Sequence, residues 1–174
     1  TIIGIAGDVD INGAAGALDV DDLDGLTYDY TNQILWASER RSGEGGDDFL
    51  PDDLLVQIDP ATGLVIEDAF GANVDYLVID TPENDLDDIS MASDGTLYAI
   101  SNQGSTGNQM LGTINKTTGV FTAIGDHGVH DIESLTFAGT GQLIATSGDG
   151  GDHSNSFFSI DPTSAEAIHV ASIL

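Results

Sequence analysis

The sequence predicts an all-β chain made of three copies of one four-stranded antiparallel unit, and two observations carry that prediction. Short groups rich in β-branched and aromatic residues (LTYDY, ILWAS, LLVQI, GTLYAI, SLTFA, FFSI) run through the chain, and they stand in the same order three times. Helical periodicity is visible almost nowhere, and the segment from Asp161 to Ala167 (DPTSAEA) reads as turn plus strand by analogy with its two counterparts. At 174 residues and 40% hydrophobic, the chain can bury one substantial core, so a single compact domain is expected.

Each unit opens on an acidic strand: DLDGLTY from Asp22, DLDDISM from Asp85 and DIESLTF from Asp131. A turn and a second apolar run follow, ILWAS from Ile34, TLYAI from Thr96 and QLIAT from Gln142. A polar, Gly-rich connection of variable length leads to a third strand closed by a tight turn: LVQIDPATG from Leu55, LGTINKTTG from Leu111 and FFSIDPTSA from Phe157. The second copy has Lys where the first and third have Pro, and the third lacks the final Gly. The fourth strand is expected at LVIEDAF from Leu64, VFTAIG from Val120 and AIHVASIL from Ala167. Trp36 falls in the slot of Tyr98 and Ile144, which points to packing between units.

The second and third units are 46 residues apart, counted from Asp85 to Asp131; the first is longer, through its loop from Glu39 to Asp53 and the connection from Ala72 to Asn84. Four strands in a period of ~40 to 50 residues is the pattern of a propeller blade. The units resemble bacterial β-propeller repeats, in which a D-[IVL]-[ED]-[GS]-L-[TS]-[FY] strand opens the blade and an I-[DN]-P-x-T-G turn closes its third strand. The likeness covers the chain from about Asp19 to Leu174 and implies a fold more than an activity.

The expected layout is an N-terminal strand and loop over 1–18, then blades over 19–72, 73–125 and 126–174. The opening TIIG matches TAIG from Thr122, so the chain is expected to begin on the tail of an outer strand. Three blades fall short of the ~4 to 8 that close a ring. A second copy or missing chain is therefore expected to complete it, with a β-sandwich as the structural alternative. The Thr1 start suggests a mature or excised piece.

Thirty Asp plus Glu stand against three Lys plus Arg, a formal net charge of −27. That balance excludes ordinary nucleic-acid binding, which needs cations to displace counterions from phosphates, and it disfavours anionic membrane surfaces. No apolar run approaches the ~18 residues of a membrane span. With no cysteine there is neither a disulfide framework nor a thiolate metal site. Self-repulsion on this scale calls for salt, divalent cations or a cationic partner, and calcium suits carboxylate oxygens.

The loop DVDINGAAGALD places Asp8, Asp10 and Asn12 at positions 1, 3 and 5, Gly13 at position 6, Ala14 at position 7 to offer its carbonyl, and Asp19 at position 12. This resembles an EF-hand or dockerin-type calcium loop, although Asp closes it and no helix-forming sequence precedes it. A solvated Asp/Gly turn is the other reading of the same residues.

A second constellation is the set of acids opening each blade: Asp22, Asp24, Asp85, Asp87, Asp131 and Glu133. Alternate side chains of innermost strands converge on a central channel, where a cation would relieve their repulsion; the same acids also suit channel hydration and turn capping. His127 and His130 lie beside them, but four neighbouring side chains on one strand do not all face one zinc ion. The loops GEGGDD from Gly43 and GDGGDHSN from Gly148 read as exposed acidic loops with some calcium character.

No nucleophile elbow, H-E-x-x-H, dinucleotide fingerprint or Walker loop is present. These features predict an extracellular or cell-surface, calcium-stabilised assembly or adhesion module that self-associates, as a filament subunit in one form. The alternative is a calcium-dependent propeller hydrolase of esters or phosphates that uses Asp24, Asp87, His130, Asp131 and Glu133.

Overall fold

The computed structural model describes residues 10–13, 16–20, 22–40, 53–80, 86–101, 109–150 and 153–173. A hairpin, β1 (Asp10–Gly13) with β2 (Gly16–Asp19), precedes three four-stranded sheets. Blade 1 is β3 (Leu23–Asp29), β4 (Ile34–Glu39), β5 (Leu54–Ile58) and β6 (Tyr76–Val78). Blade 2 is β7 (Leu86–Met91), β8 (Leu97–Ser101), β9 (Met110–Ile114) and β10 (Phe121–Asp126). Blade 3 is β11 (Ile132–Phe137), β12 (Leu143–Ser147), β13 (Ser156–Ile160) and β14 (Ala167–Ser172). Strands pair in sequence order and antiparallel within every blade, as the repeats predict.

Short polar side chains set the turns. The turn after each third strand uses the same device: the Asp59 carboxylate accepts the Ala61 N–H at 2.7 Å, the Asn115 side-chain carbonyl that of Thr117 at 2.9 Å, and the Asp161 carboxylate that of Thr163 at 2.8 Å. Each turn then needs a left-handed residue, supplied by Gly63 (φ 73°) and Gly119 (φ 77°). In blade 3 Ala165 takes the same conformation at φ 66°, so the missing glycine leaves the turn geometry unchanged at a cost of about 1 kcal/mol.

The fourth strand of blade 1 departs from expectation. Val65 forms one isolated bridge to Ile58, and the Ile66 N–H reaches the Gln57 carbonyl at 2.8 Å. Then the chain leaves the sheet and returns only at Tyr76, which pairs with Val56. Asp68 is left-handed at φ 57°, its N–H donates to Asp75 at 2.7 Å, and Phe70 to Val74 closes a small turn on itself. The outer strand is therefore Tyr76–Val78 rather than the run from Leu64 to Phe70. Blades 2 and 3 carry a bulge in the same strand, between Ala123 and Gly125 and between His169 and Ala171; blade 1 inserts its excursion within a residue of that place.

Apolar side chains that alternate along the strands fill the spaces between sheets. Between blades 1 and 2 lie Trp36, Leu55, Leu86, Ile89 and Leu97; between blades 2 and 3 lie Ile100, Leu111, Ile132, Leu135 and Phe158. Trp36 is 4% exposed and Tyr98 meets Phe137 at 5.2 Å, so this slot serves blade packing as predicted. Val20 joins Ala37, Leu54, Val56 and Tyr76 on the leading side of blade 1.

The innermost strands β3, β7 and β11 run side by side and are tied by hydrogen bonds that repeat from one junction to the next. The residue before each third strand accepts the first amide of the following blade: the Asp53 carboxylate from Leu86 N–H at 2.7 Å, and the Gln109 side-chain carbonyl from Ile132 N–H at 3.1 Å. A hydroxyl on each inner strand does likewise further along, Thr27 accepting from Met91 N–H at 2.9 Å and Ser90 from Phe137 N–H at 3.1 Å.

Candidate functional site at the channel mouth

All three inner strands are bulged at their acidic residue. Pairing slips between Leu23 and Gly25, between Leu86 and Asp88, and between Ile132 and Ser134, so the extra residues are Asp24, Asp87 and Glu133. A bulge bends its strand and re-aims the side chain it carries. At the start of an inner strand, that sets one carboxylate per blade at the same end of the channel.

The three acids have different surroundings. Asp24 is paired with Arg40 (Oδ2 to Nε, 2.7 Å), Asp87 is half-buried, and Glu133 is exposed. Asp131 holds φ 65°, and its carboxylate accepts the Gly150 N–H at 2.6 Å while its carbonyl accepts that of Gly148 at 2.8 Å. Glu133 and Asp131 converge on Gly148: a methyl group there would lie 2.6 Å from the Glu133 carboxyl carbon and 2.8 Å from Asp131 Oδ2. The absent side chain at Gly148 gives these two carboxylates their shared space.

Asp22 stands apart from this pair; its N–H donates to Glu39 at 3.3 Å and its carbonyl accepts from Arg40. Asp85 lies outside the described residues, as does the loop from Gly43 to Asp48. His127 is buried, with Nδ1 accepting the Val129 N–H at 3.4 Å, and desolvation pushes its pKa down to about 4, leaving a neutral imidazole. His130 is exposed beside Asp131. Among the described residues no three His, Asp or Glu side chains form a metal-holding group. The Asp131 and Glu133 pair brings two carboxylates to one place beside Gly148, fewer oxygens than the ~6 to 8 that calcium takes.

Asp88 is the site residue that the sequence does not single out. Its carboxylate accepts the Ile89 N–H at 2.8 Å and the Leu135 N–H at 2.7 Å, with Leu26 a further amide partner, so one side chain ties all three inner strands. Gly25 makes room for it: a methyl group at Gly25 would lie 3.0 Å from Asp88 Oδ1 and 2.8 Å from Ile89 N. The repeat offers no hint, because this slot holds Gly25, Asp88 and Ser134 in turn.

Of the N-terminal loop, β1 and β2 set Asp10 opposite Asp19 and Asn12 opposite Ala17 in an antiparallel ladder. Asp8 and Ala14 lie outside the described residues. At the other end of the inner strands a cleft of about 530 Å³ is lined by Asp29, Tyr30, Met91, Asp94, Tyr98 and Phe137. Lys116 borders that end, 3.6 Å from Asp29 and over the Trp36 ring at 5.5 Å. This cleft lies at the opposite end of the inner strands from the bulged acids.

No protein-family model and no curated protein matches the chain. Similar solved structures include a protein assigned as a gluconolactonase (13% identity, TM-score 0.53, covering 91% of this chain and 50% of that one). The PQQ-bound aldose sugar dehydrogenase of Streptomyces coelicolor is similar at 14% identity and TM-score 0.53, over 91% of this chain and 48% of that one. A luciferin-regenerating enzyme is similar at 13% identity and TM-score 0.51, over 87% and 45%. The chain spans about half the length of each. By fold, then, it is an all-β run of three four-stranded antiparallel blades of the β-propeller type.

Proposed function

We propose that Asp131 and Glu133, the acids at the start of the third inner strand, form a calcium-dependent hydrolytic site for small esters or phosphates. The observation that carries this reading is the convergence of Asp131 and Glu133 over Gly148, at the mouth where the inner strands begin. Similar folds bearing enzyme names, one of them a gluconolactonase, support an enzymatic reading over a scaffold. When bound, calcium supplies Lewis-acid polarisation of the ester or phosphoryl oxygen. Asp131, fixed by the Gly150 N–H, and Glu133 contribute two of its ~6 to 8 oxygens. On this reading exposed His130, next to Asp131 in sequence, takes a proton from an attacking water, and Arg40 pairs with Asp24.

Hydrolysis of p-nitrophenyl acetate and p-nitrophenyl phosphate with and without calcium tests this. Calcium-dependent turnover is expected, falling at least about tenfold in Glu133→Gln and in Gly148→Ala, whose methyl intrudes on both carboxylates, and unaffected by Asp8→Ala. Turnover of neither substrate, or equal rates in wild type and Glu133→Gln, would reject it.

A second reading, a calcium-stabilised extracellular assembly or adhesion module, is favoured by the N-terminal ladder, which sets Asp10 across from Asp19. On this reading Asp8, Asp10, Asn12, the Ala14 carbonyl and Asp19 hold calcium, and binding to the folded chain raises its melting temperature. Millimolar calcium is expected to raise the melt by several degrees, and Asp8→Ala combined with Asp19→Ala to abolish the rise. A melt indifferent to chelator and to both substitutions removes calcium from the loop.

A further inference from the structure

The turn after the third strand differs in blade 2 at two neighbouring positions. Blades 1 and 3 carry Asp59-Pro60 and Asp161-Pro162, whereas blade 2 carries Asn115-Lys116, followed by Thr117. An asparagine, then a residue other than proline, then a threonine form the acceptor motif for an N-linked oligosaccharide, and the chain holds this motif once. Either residue of the other blades would close the motif. A carboxylate has no amide nitrogen to link to a sugar, and proline is excluded from the middle position.

The fold presents this motif in an open form. The Asn115 side-chain carbonyl accepts the Thr117 N–H at 2.9 Å and the Thr118 N–H at 3.2 Å, so Oδ1 faces into the turn. Because the amide group is planar, Nδ2 points away from those N–H groups, and among the described residues it has no hydrogen-bond partner. Asn115 and Thr117 are both exposed. The neighbouring hydroxyls are engaged, Thr118 accepting the Val120 N–H at 3.4 Å and Thr163, the blade 3 counterpart of Thr117, donating to Asp161 at 2.7 Å. Among the described residues the Thr117 hydroxyl makes no such bond. Lys116 is turned the other way, with Nζ 3.6 Å from Asp29 and 5.5 Å over the Trp36 ring, so it leaves the outer edge of the turn to Asn115 and Thr117.

We propose that Asn115 is an acceptor for an N-linked oligosaccharide, delivered from a polyprenyl diphosphate carrier by a membrane-bound transferase. In the transfer Nδ2 bonds to the anomeric carbon of the first sugar. The bond from that carbon to the diphosphate oxygen breaks, the diphosphate leaves with the electron pair, and one Nδ2 proton passes to a base of the transferase. Nothing is oxidised or reduced. The Thr117 hydroxyl is the group through which the transferase reads the motif. The turn stands at the end of blade 2 where β7 ends and β8 begins, since Met91 and Ile114 both pair with Leu97. Asp131 and Glu133 lie at the other end of the inner strands, so a glycan on Asn115 leaves the proposed hydrolytic site open.

Secretion of the chain from a glycosylating eukaryotic cell line, beside a known glycoprotein as positive control, tests the proposal by intact mass. The expected product is heavier than the 18.0 kDa bare chain by one oligosaccharide, which an N-glycan amidase removes and peptide mass spectrometry places on Asn115. Three substitutions, Asn115→Asp, Lys116→Pro and Thr117→Ala, each bring in the residue that blade 1 holds at the same position, in Asp59, Pro60 and Ala61. Each therefore keeps a turn that the fold already uses. Occupancy is expected to fall at least about tenfold in each and to be retained in Thr117→Ser. Circular dichroism of Asn115→Asp and Thr117→Ala is expected to match the wild type, which separates loss of the acceptor from loss of the fold. Folded, secreted chain at the bare mass while the control is glycosylated overturns the proposal, and so does a glycan that survives Asn115→Asp.

Discussion

Replacing Gly119 with alanine is expected to lower unfolding stability by about 3 kcal/mol, measured as a lower urea midpoint at unchanged slope. Its φ of 77° suits glycine and costs about 1 kcal/mol for alanine. The rest is steric: the new methyl would fall within contact distance of the Val78 carbonyl oxygen and 3.1 Å from its carbon. Those are backbone atoms of β6, which cannot rotate aside as a flexible side chain would. Moving them strains the link between blades, where Asp80 N–H donates to the Gly119 carbonyl at 3.2 Å and Asp80 bridges Val120. Overpacking of this kind adds ~1 to 3 kcal/mol. Gly141 is the control, with φ 84° and nothing within 4 Å of an added methyl, so Gly141→Ala should show only the conformational part. Equal losses in the two variants would refute the steric account.

The other large effect is one of pH and centres on Asp88. Burial raises its pKa from 3.8 to about 6, with the Asp24 charge adding, against the opposing amide bonds from Leu135, Ile89 and Leu26. Because the folded-state value is the higher one, the folded chain binds this proton more tightly than the unfolded chain. The contribution of Asp88 is fully present below pH 3.8 and is lost as pH rises through about 6. The loss is on the order of 3 kcal/mol between those limits. Asp88→Asn removes this titration while also weakening the amide bonds, so it is expected to cost most at low pH and least at neutral pH. Urea unfolding of both proteins at pH 4.5 and 7.5 measures it, other carboxylates cancelling in the difference. A stability gap identical at the two pH values would show that Asp88 does not titrate abnormally.

The blade order was legible because each strand alternates apolar and polar residues beside its own turn chemistry, as LTY before the Asp29 turn and QI before the Asp59 turn illustrate. The outer strand of blade 1 was not, because LVIEDAF has strand-like composition while pairing is decided by the left-handed Asp68 and its bond to Asp75, distant information for a residue-type reading. At the site, the acids Asp24, Asp87 and Glu133 stood out by repetition, but their bulges did not. A bulge is a property of pairing register, and the same residues in a regular ladder would face differently. Asp88 escaped notice since its role depends on Leu26 and Leu135 in the flanking blades, and the Gly148 cradle because it depends on carboxylates approaching from another strand.

The bonds by which Asp53 and Thr27 hold blade 2, and Gln109 and Ser90 hold blade 3, link each blade to its immediate neighbours. Such a chain behaves as a one-dimensional lattice of three sites with nearest-neighbour coupling. Through these bonds blade 2 is clasped from both sides and each end blade from one, so melting starts at the ends and the middle blade holds out longest.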